Sequence, residues 1–545
     1  MRLELPHARW RCGAALALAL TGALLTIAPV SGAESARSRY IATSDRFAAI
    51  RTFCDQVIER GGDDYGPRKL RLWPNAYDID RRSVPLPDPA RSWPGQIAGH
   101  APFGSNLQKQ ASLLRLLWAM TELTGDPKYR TAVRDGLRDY FDHAADPRTG
   151  AFPWGTHCSY DVTTDTVFSR GRVAVIEEKQ ADIPWEILHT VDARGTLRAI
   201  DHMRLSYDRE FTTFFQHRLI DQTEPRSPAF DFGTEDVTGN HPTTMGIVVH
   251  LKGWAFAYSV TRDAKYLEWI ERASAITLGP LEPGTGLVTE LANLRRHRHW
   301  PDTANEWERR SVMIKHGDPY LWGYYMFKVA DLLPPGQLPA LAASGEQQLA
   351  RWPQAAWDAG AGLYRQNFPI YPPENANAAA RNRAQRSTTP RHGTFWDAVP
   401  GQQGYLQMVT AYLAYANAYR RTGNPVYLAT VEHLHEVYVD ETTFLESEKP
   451  EYALPLAIYL QANAEALARS GDERYRTRGR RAVDKVFRDF WRDGFFLGQR
   501  RSSVMSHGYG SDDLAAAVLR FDLTDRGLDS PLEDGYLYDW GYTYP

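Results

Sequence analysis

Apolar residues recur along much of this chain at the three-and-four spacing of a helix face, and the segments so marked are punctuated by one repeated turn. Residues 45–60 carry the helical pattern, and so do residues 106–123, with Leu107, Ala111, Leu114 and Trp118 on one face. The second segment ends at Thr124-Gly125-Asp126-Pro127-Lys128-Tyr129. The same ending returns as Thr261-Arg262-Asp263-Ala264-Lys265-Tyr266, Thr422-Gly423-Asn424-Pro425-Val426-Tyr427 and Ser470-Gly471-Asp472-Glu473-Arg474-Tyr475. In each, Gly or its equivalent closes one helix, Asp or Asn caps the next, and the Tyr is expected to pack back as its first buried residue. Helical hairpins with broad apolar faces need partners on more than one side, and a closed ring of inner and outer helices supplies them. The expected fold is therefore all-α, an α/α barrel (toroid) of helical hairpins with long inserted loops and a few short strands. An open α-solenoid is the structural alternative.

Between the hairpins the pattern changes. Residues 61–102 are rich in Pro, Gly and Asp and read as a long irregular loop. Residues 197–215 continue an apolar periodicity up to Phe215. From Val173 to Glu178 apolar residues lead along an alternating, strand-like segment to two adjacent acids, only one of which can share a face with a site.

Length fits this picture, since toroids of this kind hold several hundred residues in one domain, and the chain has 545. Basic residues at the start, an apolar run over residues 14–27 and Ser31-Gly32-Ala33 mark a signal peptide over residues 1–33, which leaves one catalytic domain over 34–545. The mature chain is expected in the periplasm or outside the cell, without a membrane partner after cleavage. A formal net charge of -3 gives no electrostatic reason to bind nucleic acid. Aromatic content of 12%, with 16 Trp and 28 Tyr, suits a cleft that stacks on sugar rings. Beyond the signal peptide only Cys54 and Cys158 remain, which either pair or sit apart as buried small hydrophobes.

Candidate chemistry concentrates in residues 152–179. Phe152-Pro153-Trp154-Gly155-Thr156-His157 is an aromatic run with a tight Gly turn ending on an imidazole, and the strand-like segment that follows ends on Glu177-Glu178-Lys179. An imidazole and a carboxylate brought together across a short antiparallel excursion form half of a metal site. The best third ligand is His217. His241, Tyr320 and His507 stand in or beside loops and are candidates for substrate contact, as are Trp154 and Asn106. The basic run over residues 295–299 reads as a solvated face, or as a guide for a polyanionic chain.

Taken together, Ser105-Asn106-Leu107 with Gln110 and Leu113-Leu114-Arg115, Trp154-Gly155-Thr156-His157 with Tyr160-Asp161, Glu177-Glu178-Lys179, Trp185-Glu186 and Val191-Asp192 resemble the periplasmic pectate lyases of polysaccharide lyase family two. The resemblance implies an α/α barrel that binds a divalent metal ion, a transition metal such as manganese, or calcium, through His157, one of Glu177 and Glu178, and His217. It implies cleavage of pectate or a related acidic polysaccharide or oligosaccharide by β-elimination. Family members place an Arg, the proposed base, immediately before the second metal-binding His; this chain reads Gln216-His217-Arg218 instead. Arg218 is the first candidate for that role, with Tyr160, Lys179 and His241 in reserve. Two other readings compete. A glycoside hydrolase on the same scaffold would use paired acids, Asp231 with Glu235 or Asp236 with Glu186. A non-catalytic glycan-binding relative would use the aromatic cleft alone.

Overall fold

The computed structural model describes residues 30–85, 101–155, 158–169, 182–211, 244–279, 281, 285–288, 313–314, 318–360, 362–364, 368–369, 403–439, 442–446 and 451–532. Its α-helices, in chain order, are α1 Val30–Thr43, α2 Asp45–Arg60, α3 Ala111–Thr124, α4 Lys128–Asp139, α5 Trp185–Val191, α6 Ala193–His202, α7 Thr244–Thr261, α8 Ala264–Leu278, α9 Asp318–Leu332, α10 Pro339–Ala356, α11 Gln403–Thr422, α12 Pro425–Tyr438, α13 Ala453–Ser470, α14 Glu473–Asp489 and α15 Ser511–Asp525.

The repeated turn is built from its own side chains. Thr124, Thr261, Thr422 and Ser470 each donate to the carbonyl four residues back, at 2.6–2.8 Å, and accept from the N–H two residues on. Asp126, Asp263, Asn424 and Asp472 then accept an orphan N–H from the first turn of the next helix at 2.8–3.0 Å. Tyr129, Tyr266 and Tyr427 are buried as expected, whereas Tyr475 is partly buried. Gly125, Gly423 and Gly471 take left-handed φ between 66° and 73°, and Arg262 takes φ 61° in the same place. A Cβ at Gly125 would meet nothing within 4 Å, so only the backbone conformation opposes a side chain there. Gly125→Ala is expected to cost about 1 kcal/mol in urea unfolding; no loss would mean that the turn tolerates either conformation.

The hairpins close into a toroid. Helices α3, α7, α9, α11, α13 and α15 pack side by side as an inner wall, with the short α5 between α3 and α7, and each has an outer partner: α4, α8, α10, α12, α14 and α2 respectively, with α6 outside α5. Burial follows position. Every residue of α13 from Ala453 to Leu467 is buried, and so is every residue of α15 from Ser511 to Leu523, while the outer α4 and α14 bury one stripe and expose charged residues on the other. The ring is shut by its chain ends: α2 lies against α15, where the Ser44 hydroxyl caps α2 and donates to the buried Asp522 carboxylate at 2.9 Å, with Arg46 at 3.2 Å.

Connection length gives the ring two unlike rims. Each inner helix except α15, whose outer partner α2 lies far earlier in the chain, passes to its outer partner within a few residues, but every return to the next inner helix is longer, from α2 to α3, α4 to α5, α6 to α7, α8 to α9, α10 to α11, α12 to α13 and α14 to α15. Antiparallel hairpins put the ends of all those returns at the rim where the inner helices begin. Short strands brace that rim. Strand β1, Ala76–Asp78, pairs with Val504–Ser506, and β2, Gly104–Ser105, pairs with β3, Cys158–Asp161, which pairs in turn with β4, Thr166–Ser169, all antiparallel.

Several expectations need correction. The helix expected over 106–123 begins only at Ala111, because Asn106 uses its side chain to turn the chain ahead of it. The periodic segment expected over 197–215 stops being α-helical at His202; the Arg204 guanidinium donates to the carbonyls of Tyr207, Asp208 and Arg209 and lies 3.7 Å over the Phe211 ring, wrapping the helix end. Cys54 and Cys158 are unpaired and both buried, the second of the two readings. Residues 1–29 of the expected signal peptide lie outside the described residues, and among those described no helix is long and apolar enough to cross a membrane.

Candidate active site

The turn before His157 is held from beneath. Gly155 takes φ 94°, a conformation that favours glycine, and so accounts for the Trp-Gly pair in the sequence. Asn106, fully buried at the foot of α3, donates its amide to the carbonyl of Gly155 at 2.7 Å and to that of Cys158 at 3.2 Å, and accepts from the N–H of Gln108 at 3.1 Å. One side chain thus ties both flanks of residues 156–157 to the start of an inner helix. The β3–β4 hairpin turns at Asp161, whose carboxylate accepts from the N–H and hydroxyl of Thr163, and its register returns Ser169 to the side of Cys158. The expected antiparallel excursion is therefore present as far as Ser169.

His157, Glu177, Glu178, Lys179, His217, Arg218 and His241 lie outside the described residues, as do Asp231, Glu235 and Asp236. Among the described residues, no group of three His, Cys, Asp or Glu side chains is placed to hold a metal ion. The described candidates face protein. Trp154 is buried edge-on against Phe152 and Trp185, with ring centroids 5.0 and 5.8 Å away, and Tyr320 is buried against Trp352. Asn106 braces backbone. His507 is buried with its Nδ1 3.2 Å from the Asp512 carboxylate at the start of α15. Glu186 is exposed on the first turn of α5. Burial, and then the Asp165 carboxylate, push the Tyr160 phenol up to about 12, so at neutral pH it holds its proton and can donate but not act as a base.

The strongest electrostatic feature of the ring is one that the sequence reading did not single out. Asp182 stands just ahead of α5, and its carboxylate receives Lys252 of α7, Lys328 of α9 at 2.6 Å, and Arg115 of α3 at 3.6 Å; Arg115 also donates to its backbone carbonyl. Burial by itself would raise the pKa of this carboxyl, but the three cations outweigh it and hold the group far below the usual carboxylate range. A signal was present. Each cation interrupts an apolar helical run, as in Leu113-Leu114-Arg115-Leu116-Leu117 and Met326-Phe327-Lys328-Val329, where a charge must find a partner across the core.

Distant likenesses in fold accompany this geometry. The cellobiose 2-epimerase of Spirochaeta thermophila is 13% identical with a TM-score of 0.42, covering 75% of this chain and 86% of its own. The unsaturated glucuronyl hydrolase of Bacillus sp. GL1 is 13% identical with a TM-score of 0.41, covering 91% and 98%. A polysaccharide lyase is 13% identical with a TM-score of 0.39, covering 88% and 52%. Over residues 92–207, the stretch that holds Asn106, the Trp154 turn, His157, the paired acids and Asp182, the chain matches the family model of the periplasmic pectate lyases.

Proposed function

We propose that this protein is an exported, metal-dependent polysaccharide lyase that cleaves pectate or a related polyuronate by β-elimination. The family match over residues 92–207 carries the reading, because it falls on the segment in which the sequence gathers its candidate chemistry. That the chain is a carbohydrate-active enzyme that processes polysaccharide rests on the same match. Two imidazoles and one carboxylate, from His157, His217 and one of Glu177 and Glu178, are a donor set that suits a divalent transition metal. Such an ion would neutralise the uronate carboxylate and stabilise charge developing beside it.

The chain's own groups do the rest. Asn106 fixes the turn that presents His157. Arg218 is the first choice to take the proton from the sugar carbon next to the carboxylate, with Lys179 and His241 in reserve; Tyr160, protonated at neutral pH, suits donation to the departing glycosidic oxygen. As that bond breaks, the electron pair left on carbon becomes the double bond of an unsaturated sugar.

Incubation with polygalacturonate is expected to give a product that absorbs in the ultraviolet, and chelation is expected to abolish it until a divalent ion is restored. Saturated products released regardless of chelator would reject the lyase in favour of a hydrolase using Glu186 and the acids of residues 231–236. Tight oligosaccharide binding without turnover, even with added metal, would leave only a binding protein.

A further inference from the structure

We propose that the cavity at the seam where the ring closes, lined by Arg46, Arg480 and Arg526, is a binding site for a small oxyanion, either a phosphate or the carboxylate of an acidic saccharide. It lies at the rim where the inner helices end, opposite the long returns, and does not rest on the lyase reading.

The cavity measures about 380 Å³ and is lined by residues 43–46 at the junction of α1 and α2, by Arg480 of α14, and by Asp525 and Arg526 at the end of α15. That volume falls within the range of roughly 300–1,000 Å³ that small-molecule sites occupy. Two buried carboxylates anchor its cations. Asp522 receives the Ser44 hydroxyl and Arg46 and stands 3.5 Å from Nε of Arg526. Asp525 receives Arg480 through Nε at 2.9 Å and Nη2 at 3.0 Å, with Nε of Arg476 also 3.0 Å away. The exposed carboxylates of Asp45 and Asp484 bring the formal charge of the neighbourhood back to neutral, so recognition falls to directed N–H groups rather than to net field.

Those N–H groups are in surplus. A guanidinium carries five. Among the described residues Arg480 commits only Nε and Nη2, and the side chain of Arg526 makes no hydrogen bond, lying 5.2 Å from the Tyr40 ring centroid. The two side chains are 52% and 44% exposed, so both line the cavity with N–H groups in reach of a solute. Anchoring by a carboxylate or a ring has already removed part of their rotamer freedom, which lowers the cost of fixing them around an anion. The lining comes from both ends of the chain, so a ligand there would bridge the same seam that Ser44 and Asp522 close, and occupancy would tighten the ring.

Inorganic phosphate and galacturonate are the probes, added to the whole chain at constant ionic strength. Calorimetry is expected to show one saturable site for at least one of them, and the midpoint of thermal unfolding should rise in step with its occupancy. Arg480→Met and Arg526→Met should each weaken binding about tenfold, whereas Asp45→Asn, which takes a negative charge out of the lining, should tighten it. Competition then names the source: the probe that displaces the other at lower concentration gives the ligand class, and either result keeps the site. A midpoint that climbs without saturating, equally in all variants, would mark a general salt effect and overturn the proposal, as would binding that ignores both arginines. Where a variant does not fold, phenylglyoxal labelling of the wild-type protein decides. Saturating probe should protect Arg480 and Arg526 but not Arg474, which does not line the cavity, and equal labelling with and without probe would overturn the site. None of these readouts involves turnover, so the lyase reading stands or falls separately.

Discussion

Asn106→Ala is expected to lower the unfolding free energy by roughly 3–5 kcal/mol, and to weaken divalent-ion binding at the proposed metal site in whatever protein still folds. The buried amide satisfies the carbonyls of Gly155 and Cys158 and the N–H of Gln108, and an alanine leaves all of these backbone groups facing a void. Each buried group left without a partner costs about 1–3 kcal/mol, so the sum is larger than one deleted hydrogen bond suggests. Asn106→Asp is the sharper control. It keeps the acceptor for Gln108 but points a carboxylate at two carbonyl oxygens, so it should be at least as damaging as alanine. Urea unfolding checks the stability and titration of metal-stripped protein checks the site. A loss well under 1 kcal/mol with unchanged metal affinity would remove Asn106 from its role as the brace of the His157 turn.

The second large effect is on acid stability. His435 is buried on α12 between the rings of Tyr412 and Tyr475, and burial, reinforced by Arg478, Arg469 and Arg474, lowers its pKa to about 3. The unfolded chain therefore takes up a proton near the ordinary histidine value, about 6.5, while the folded chain does not. Between about pH 6.5 and 3 the unfolded state binds more protons, so stability is full above 6.5 and falls as pH drops, with a slope approaching about 1.4 kcal/mol per pH unit. Asp63, which burial pushes up to about 6, works in the opposite sense over part of this range. The measurement is therefore a difference: His435→Phe, which fits an aromatic slot and cannot be protonated, should show a shallower acid arm than the wild type from pH 6.5 down to 4.5. Parallel arms would show that His435 is protonated in the folded protein.

What the sequence revealed and what it concealed divide along physical lines. The hairpin turns were readable because Thr124, Gly125 and Asp126 and their counterparts make every bond they need within a few residues, so local chemistry writes the structure directly. The turns from α5 to α6, through Asp192, and from α9 to α10 use other residues and escaped the repeat. Helix α3 began late because one side chain, Asn106, found partners about fifty residues away, which no local periodicity records. The Asp182 cluster was hidden for the same reason: its members are separated by 67, 70 and 146 residues. Trp154 shows the opposite error, an aromatic residue beside a candidate ligand that looks like a sugar platform in sequence and packs into the core in space.

The contact between Ser44 and Asp522 joins positions 478 residues apart, and it bears on how the chain is made. A polypeptide emerging from the ribosome can assemble early hairpins, but α15 has no seat until α2 and α13 are both present, and α3 lacks its neighbour until α15 arrives. Each partial product is an arc with two apolar walls left bare. Circle formation must wait until α15 has been made, so the growing chain stays an open arc through most of the hairpins before it can lock.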